Sequence, residues 1–258
     1  MAQYIKTEEG YKGLEESISA VTDNKMDKTN PTGTGSFSMN REAGTVIGTN
    51  SHAEGSSTQA SGYSSHAEGS YTTASGNYSH AEGNSTTARG RYSHTEGGGT
   101  TASQSYSHAE GNRTTASGYN SHAEGYSTNK FLSVVTTTNP TTDSIITAWK
   151  TKKFSIAKGD YSHVEGKDNL ALNDYSHAEG SNTTASGYHS HAEGSNTTAS
   201  ENSAHAEGQN TTASGYSSHA EGNNTTASGS NSHAEGYQTT ASVQYSHAEG
   251  YQTKVSGS

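Results

Sequence analysis

Ser65-His66-Ala67-Glu68-Gly69-Ser70-Tyr71-Thr72-Thr73-Ala74-Ser75-Gly76-Asn77-Tyr78 is one copy of the fourteen-residue unit that decides how this chain folds. Its His-x-Glu-Gly signature occurs thirteen times, from His52-Ala53-Glu54-Gly55 to His247-Ala248-Glu249-Gly250, and the period breaks only between His122 and His163. So strict a period means one structural unit stacked on itself. Each unit divides into two segments of about five residues, an ordinary strand length, joined by two short connections. The density of Gly, Ser, Thr and Asn disfavours helix, and no 3.6-residue period is present. The expectation is an all-β chain, a parallel β-roll solenoid with two short strands per coil.

Strand alternation puts Ser51, Ala53 and Gly55 on one face and His52 and Glu54 on the other. The small set turns inward, because a fourteen-residue coil is too narrow to bury an imidazole and a carboxylate, and burying so many charges is prohibitive. Ala60, Ala74 and Ala88 supply the filler from the second strand. Gly follows Glu in all thirteen copies, Gly55 through Gly250, as a positive φ or a very close backbone approach requires. At the other turn Gly62 and Gly76 give way to Gln104, Asn173, Glu201 and Val243, so a left-handed conformation is not obligatory there. At about 4.8 Å per coil, thirteen repeats and a cap make a rod of roughly 65 Å.

Composition agrees with a solenoid and excludes a compact domain with one large core. Hydrophobic residues are 26% of the 258, there are 30 glycines, and mean hydropathy is -0.94. Such a chain resembles a disordered one, but a solenoid is held by backbone hydrogen bonds and stacking of neighbours. The net charge of -10 argues against nucleic acid as a partner. No stretch has the length and apolarity for membrane insertion. Cysteine is absent, so disulfides contribute nothing.

The repeated Ser-His-Ala-Glu-Gly strand, followed by Thr-Thr-Ala-Ser-Gly, resembles the head repeat of trimeric autotransporter adhesins, in the variant found in phage and prophage tail fibre proteins. The resemblance covers about 51 to 258. It implies a homotrimeric rod of parallel, left-handed rolls, working as a structural and adhesive fibre that contacts a host-surface glycan or protein receptor. A virion location follows, with the bacterial cell surface as the alternative. The opening Met1-Ala2-Gln3-Tyr4-Ile5-Lys6 lacks a secretory apolar segment, which favours synthesis in the host cytoplasm. The adhesins usually carry Val and Ile where this chain has His and Glu.

Six regions are expected. Residues 1–28 hold a short coiled-coil helix, with Tyr4, Thr7, Tyr11, Leu14, Ile18 and Val21 as its seam; other virion proteins are candidate partners for this segment. Residues 29–35 are a linker, 36–50 a capping coil, and 51–128 carry repeats 1–6. Residues 129–156 form an inserted β-hairpin lobe, its strands Phe131–Thr136 and Ile145–Lys150 flanking Asn139-Pro140. Residues 157–258 complete repeat 6 and carry repeats 7–13. Leu170 and Leu172 replace polar residues beside the insertion, so the lobe is expected to pack back onto that coil. Phe131, Trp149, Lys150, Lys152 and Lys153 make the lobe either a receptor contact or glue between chains.

The chemistry-bearing residues are the outward pairs: His52 with Glu54, His66 with Glu68, His80 with Glu82, His94 with Glu96, His108 with Glu110, His122 with Glu124, His163 with Glu165, His177 with Glu179, His191 with Glu193, His205 with Glu207, His219 with Glu221, His233 with Glu235 and His247 with Glu249. They are expected to form hydrogen-bonded ladders along the trimer axis, since neutral imidazole both donates and accepts. Solvent-facing ladders and ion sites are the alternatives, and no metal or cofactor is assigned. Thr-Thr pairs such as Thr72-Thr73, Thr114-Thr115 and Thr197-Thr198 suggest a hydroxyl grid of the kind that binds ice. Tyr63, Tyr78, Tyr119, Tyr188 and Tyr216 are candidates for stacking on sugars. Ser, His and Glu recur in every coil, and thirteen copies indicate scaffold where a catalytic site would be singular, so no enzyme is expected.

Overall fold

The computed structural model describes residues 37–39, 47–128, 145, 146, 148, 150 and 153–257. The expected N-terminal helix and linker lie outside these residues. Within them the chain winds as a parallel β-solenoid. One sheet of fourteen strands begins at Phe37–Met39 and continues from His52–Ser56 to His247–Tyr251; the other, of thirteen, runs from Gln59–Ala60 to Lys254–Val255. Register is kept residue for residue, His191 beside His205 and Ala192 beside Ala206. Phe37–Met39 pairs with His52–Glu54 as a preceding coil would.

The backbone lattice runs in both directions around each coil. Strand amides donate to the coil ahead, as His66 N does to Ser79 O at 2.9 Å and Thr73 N to Thr86 O at 2.9 Å. Turn amides donate backward, as Tyr71 N does to Ser56 O and Tyr78 N to Tyr63 O, both at 2.8 Å. Every side of the coil is therefore tied to a neighbour, each bond adding about 0.5–1.5 kcal/mol net.

Side chains inside the coil are as small as the alternation requires. Two alanine columns, Ala53 to Ala248 and Ala60 to Ala241, are buried throughout, with Ser51, Thr58 and their equivalents beside them. The serine before most of the repeat histidines closes the second turn, Ser79 Oγ donating to Gly76 O at 2.7 Å and Ser93 Oγ to Gly90 O at 2.7 Å; Ala204 replaces it before His205. The threonine pairs do not form a double grid. Thr72, Thr114 and Thr197 point into the coil, because neighbours on a strand face opposite ways; Thr73 and Thr198 are half-buried, and Thr115 is buried like its neighbour.

The glycine after glutamate is a left-handed corner, with φ of 110° at Gly194. A Cβ there would lie 2.1 Å from the carbonyl oxygen of Gly208 in the next coil. At Gly62 and Gly76 φ is not positive, in keeping with the variety allowed at that turn. Left-handed backbone occurs instead at non-glycine residues two places later, among them Tyr78, Tyr92, Tyr106 and Tyr175.

The insertion leaves coil 6 between its two strands without breaking the stack. Thr115–Ala116 pairs with Ile156–Ala157, and His122 sits beside His163. Polar groups join its two ends: Ser155 N donates to Ser127 Oγ, and buried Asp168 accepts from Thr128 N at 2.7 Å and Thr128 Oγ1 at 2.6 Å. Asn169 knits this corner to the next coils, donating to Gly180 O at 2.9 Å and accepting from Thr183 N at 2.9 Å.

The lobe differs from the expected hairpin. Ile145, Ile146, Ala148 and Lys150 carry helical backbone where a second strand was anticipated. The β-branched run favours a strand, but a helical turn directs Ile145 and Ala148, three apart, to one side, where they meet Phe154, Ile156, Leu170 and Leu172. The preceding Thr142-Asp143-Ser144 is also rich in helix-starting residue types. The lobe thus packs back onto the leucine-bearing coil as the sequence indicated.

Two substitutions probe these constraints. Gly194→Ala combines a positive φ with a backbone clash and should cost about 2–4 kcal/mol, read as a lowered melting temperature by circular dichroism; an unchanged midpoint would show that the corner relaxes freely. Leu170→Thr restores the common residue yet removes the floor under Ile145 and Phe154. Its expected cost is about 2–4 kcal/mol, with loss of amide-exchange protection centred on 154–172 and the distal coils unaffected.

Candidate functional site

The first sheet presents two parallel columns along the rod, one of imidazoles and one of carboxylates. Consecutive histidine rings lie 4.8 Å apart and 2° from parallel at His80 and His94, and 4.7 Å and 4° at His191 and His205. The stack tilts in places, to 60° between His219 and His233. Within a coil, imidazole Nε2 faces the carboxylate two residues on, at 3.4 Å for His191 with Glu193 and 3.3 Å for His233 with Glu235. A shallow groove follows the carboxylates past Glu54, Glu68, Glu82 and Glu96. The outward columns are present, but the His–Glu hydrogen bond forms only in some coils, at His52, His191, His233 and His247.

The spacing of like groups governs the electrostatics. Burial, then the neighbouring imidazoles, holds His66, His108, His177 and His219 below the usual histidine value; His80 and His163 follow the same pattern. Among the carboxylates, hydrogen bonding to Glu96, then burial and contact with Glu124, pushes Glu110 up to about 7. Glu96 is lowered by the hydrogen bonds that Glu110 and Glu82 direct to it. Neighbouring carboxyl groups therefore share protons along this stretch.

A second ladder runs along the turn at which the next coil begins. Tyr78, Tyr92 and Tyr106 stack at 4.9 and 5.0 Å, and Tyr161, Tyr175 and His189 at 5.1 and 4.8 Å. The rings cover one another's faces, leaving mainly edges and hydroxyls to solvent. Of the tyrosines named from the sequence, Tyr78 is stacked, Tyr63 and Tyr119 meet neighbours edge-on, and Tyr188 and Tyr216 are exposed; Arg91 also sits over Tyr92, 4.7 Å from its centroid. The stacked members all fall at one position of the repeat, and Tyr63 and Tyr119 meet the ladder edge-on from the adjacent position.

Of the lobe residues named from the sequence, Phe131, Trp149 and Lys152 lie outside the described residues, and Lys150 is exposed. Lys153 stands at the root of the lobe, where burial lowers its pKa against the opposing charge of Asp168. Asp168, Ser127, Ser155 and Asn169, which close this root, were not singled out by sequence; their only signal was departure from the repeat beside its interruption.

Two regular sheets and outward columns along the described coils define a structural repeat protein. The comparison with protein families then identifies the repeat: residues 53–79, 67–93, 109–128, 178–200, 206–232 and 220–242 match the YadA head domain repeat. These segments are similar to YadA head domain repeats, and the solenoid of stacked coils fits the β-roll of such adhesin heads. The matched segments and the fold are those of structural adhesin repeats. No curated protein matches the chain.

The lowered histidines and the raised Glu110 respond to acid in opposite senses. Histidines with lowered pKa keep the folded state favoured above about pH 6.5, and that stability is lost as pH falls, since the unfolded chain takes up protons first. Glu110, raised to about 7 from 4.5, disfavours the folded state as pH rises through that window. Glu110→Gln should therefore raise the thermal midpoint most at pH 8, with the gain shrinking toward pH 4.5 and the histidine-driven acid loss remaining. A gain independent of pH in melts followed by circular dichroism would refute this account of Glu110.

Proposed function

We propose that the chain is a structural and adhesive segment of a homotrimeric fibre, a tail fibre or receptor-binding component of a phage or prophage, contacting a host cell surface. The observation carrying this reading is the uninterrupted stack of YadA-type head coils. Such repeats form trimers in the family. The His and Glu columns suit the axial position: they run the length of the rod, and Nε2 of His177, His205 and His219 is shielded from solvent without a hydrogen-bond partner. A partner chain offering the same alternating columns supplies the missing donors and acceptors. Bacterial display of the rod as a surface adhesin head is the second reading, favoured by the same family match. In either, the lobe is the part whose sequence departs from the repeat, and receptor contact falls there, with the lobe root acting as glue.

Light scattering should give three times the chain mass of 26.8 kDa. Reversal of three adjacent carboxylates, Glu179→Lys, Glu193→Lys and Glu207→Lys, should dissociate the trimer, whereas retained mass would place the columns on the outside. Fluorescent rods should bind bacterial envelopes bearing surface polysaccharide and lose binding when 129–155 is deleted. Binding only to animal matrix protein would favour the adhesin head over the phage fibre.

A further inference from the structure

The fold assembles a ligand set across coils that residue spacing does not show. Oε1 of Glu110 lies 3.8 Å from Nε2 of His122, one coil on, and Oε2 of Glu124 approaches the same nitrogen at 3.7 Å. Both distances are too long for a hydrogen bond. They contrast with His191 and His233, whose nitrogens sit 3.4 and 3.3 Å from a carboxylate. Nε2 of His122 is shielded from solvent and has no hydrogen-bond partner. The carboxylates are also drawn in: the Glu110 side chain is 28% exposed and Glu124 35%, against 45% for Glu193 and 46% for Glu235.

One imidazole nitrogen between two carboxylate oxygens is a donor set for a divalent ion of the zinc class, with room for water in the remaining positions. Metal–ligand distances near 2.0–2.2 Å set tetrahedral ligand atoms roughly 3.3–3.5 Å apart, so each nitrogen–oxygen distance needs to shorten by only a few tenths of an ångström, and the three ligand atoms already lie within 4.8 Å of one another. Two carboxylates balance the charge of the ion, and neutral imidazole is the form that coordinates. The arrangement recurs at Glu68, His80 and Glu82, and again at Glu82, His94 and Glu96. Glu82, common to both, has one oxygen for each ion.

We propose that Glu110, His122 and Glu124, together with the two equivalent clusters nearer the N-terminus, bind divalent transition-metal ions of the zinc class on the face of the roll. The ligands come from consecutive coils of one chain, so the site needs no second chain, although it lies on the columns that the proposed function places at the trimer axis. A bound ion would also clip neighbouring coils together in the stretch where the first-sheet strands shorten to His94–Thr95, His108–Ala109 and His122–Ala123.

Titration of the full chain with zinc chloride at pH 7.5, followed by calorimetry, tests this. Two to three ions should bind per chain. Glu82→Gln with Glu110→Gln should weaken uptake at least tenfold, whereas Glu193→Gln with Glu207→Gln, where the three-group cluster is missing, should leave it unchanged. The melting curve of each variant without metal establishes that it is folded. Absence of uptake by the unaltered chain, or equal weakening by both double variants, overturns the proposal. Light scattering on the same samples separates the site from assembly: uptake at constant mass supports ligands within one chain, and uptake only with association puts them between chains and overturns it.

Discussion

The in-register hydrogen-bond lattice between coils is the interaction on which everything else rests, and the lattice depends on how closely two backbones can approach. With two alanines per coil as its main apolar filler, the interior gains little from the hydrophobic effect at about 25 cal/mol per Å². Each coil must therefore keep its strand and turn amides paired, and this fixes the length of the repeat. One residue more or fewer would turn every inward alanine outward. The glycine after glutamate follows from the same demand, since at Gly55 a Cβ would stand 2.0 Å from the next coil's carbonyl oxygen.

Where the lattice must be interrupted, the chain spends its larger residues. The 27 residues added within coil 6 would leave a gap in the second sheet, but Ile156 takes the threonine position and continues the ladder between Thr115 and Leu170. Phe154, Leu170, Leu172 and Ile145 form an apolar cluster outside the coil proper. It is the only part of the described chain organised like a globular core, and it sits at the one position where backbone regularity is unavailable.

The parts of the structure legible in the sequence were those that repeat. Inward Ala53 and outward His52 follow from alternation, and the corner at Gly55 from invariance among the thirteen copies. Left-handed tyrosines were not legible, because a positive φ is uncommon for such residues. At Tyr92 the conformation is held by the amide bond to Asn77 O at 2.9 Å and by rings stacked on either side. The helical turn at Ile145 was missed because local β propensity gave way to packing against Leu170. The approach of Glu110 to His122 was hidden because the residues lie twelve apart, and only the coil's circumference brings them together.

The stack that stabilises the rod also places like charges side by side. Carboxylates repeated at about 4.8 Å repel by roughly 0.9 kcal/mol per adjacent pair even in water. Along thirteen coils this approaches 10 kcal/mol, comparable with the whole stability of an ordinary domain. Three responses are visible: imidazoles alternate with the carboxylates across the face, protons are shared where Glu82, Glu96 and Glu110 meet, and side chains turn toward the next coil's ring. Each lowers the repulsion by bringing positive charge or a proton to the column. A face built this way keeps an unmet demand for cations or donors, and that demand makes it the surface through which the rod is best placed to engage an ion or another chain.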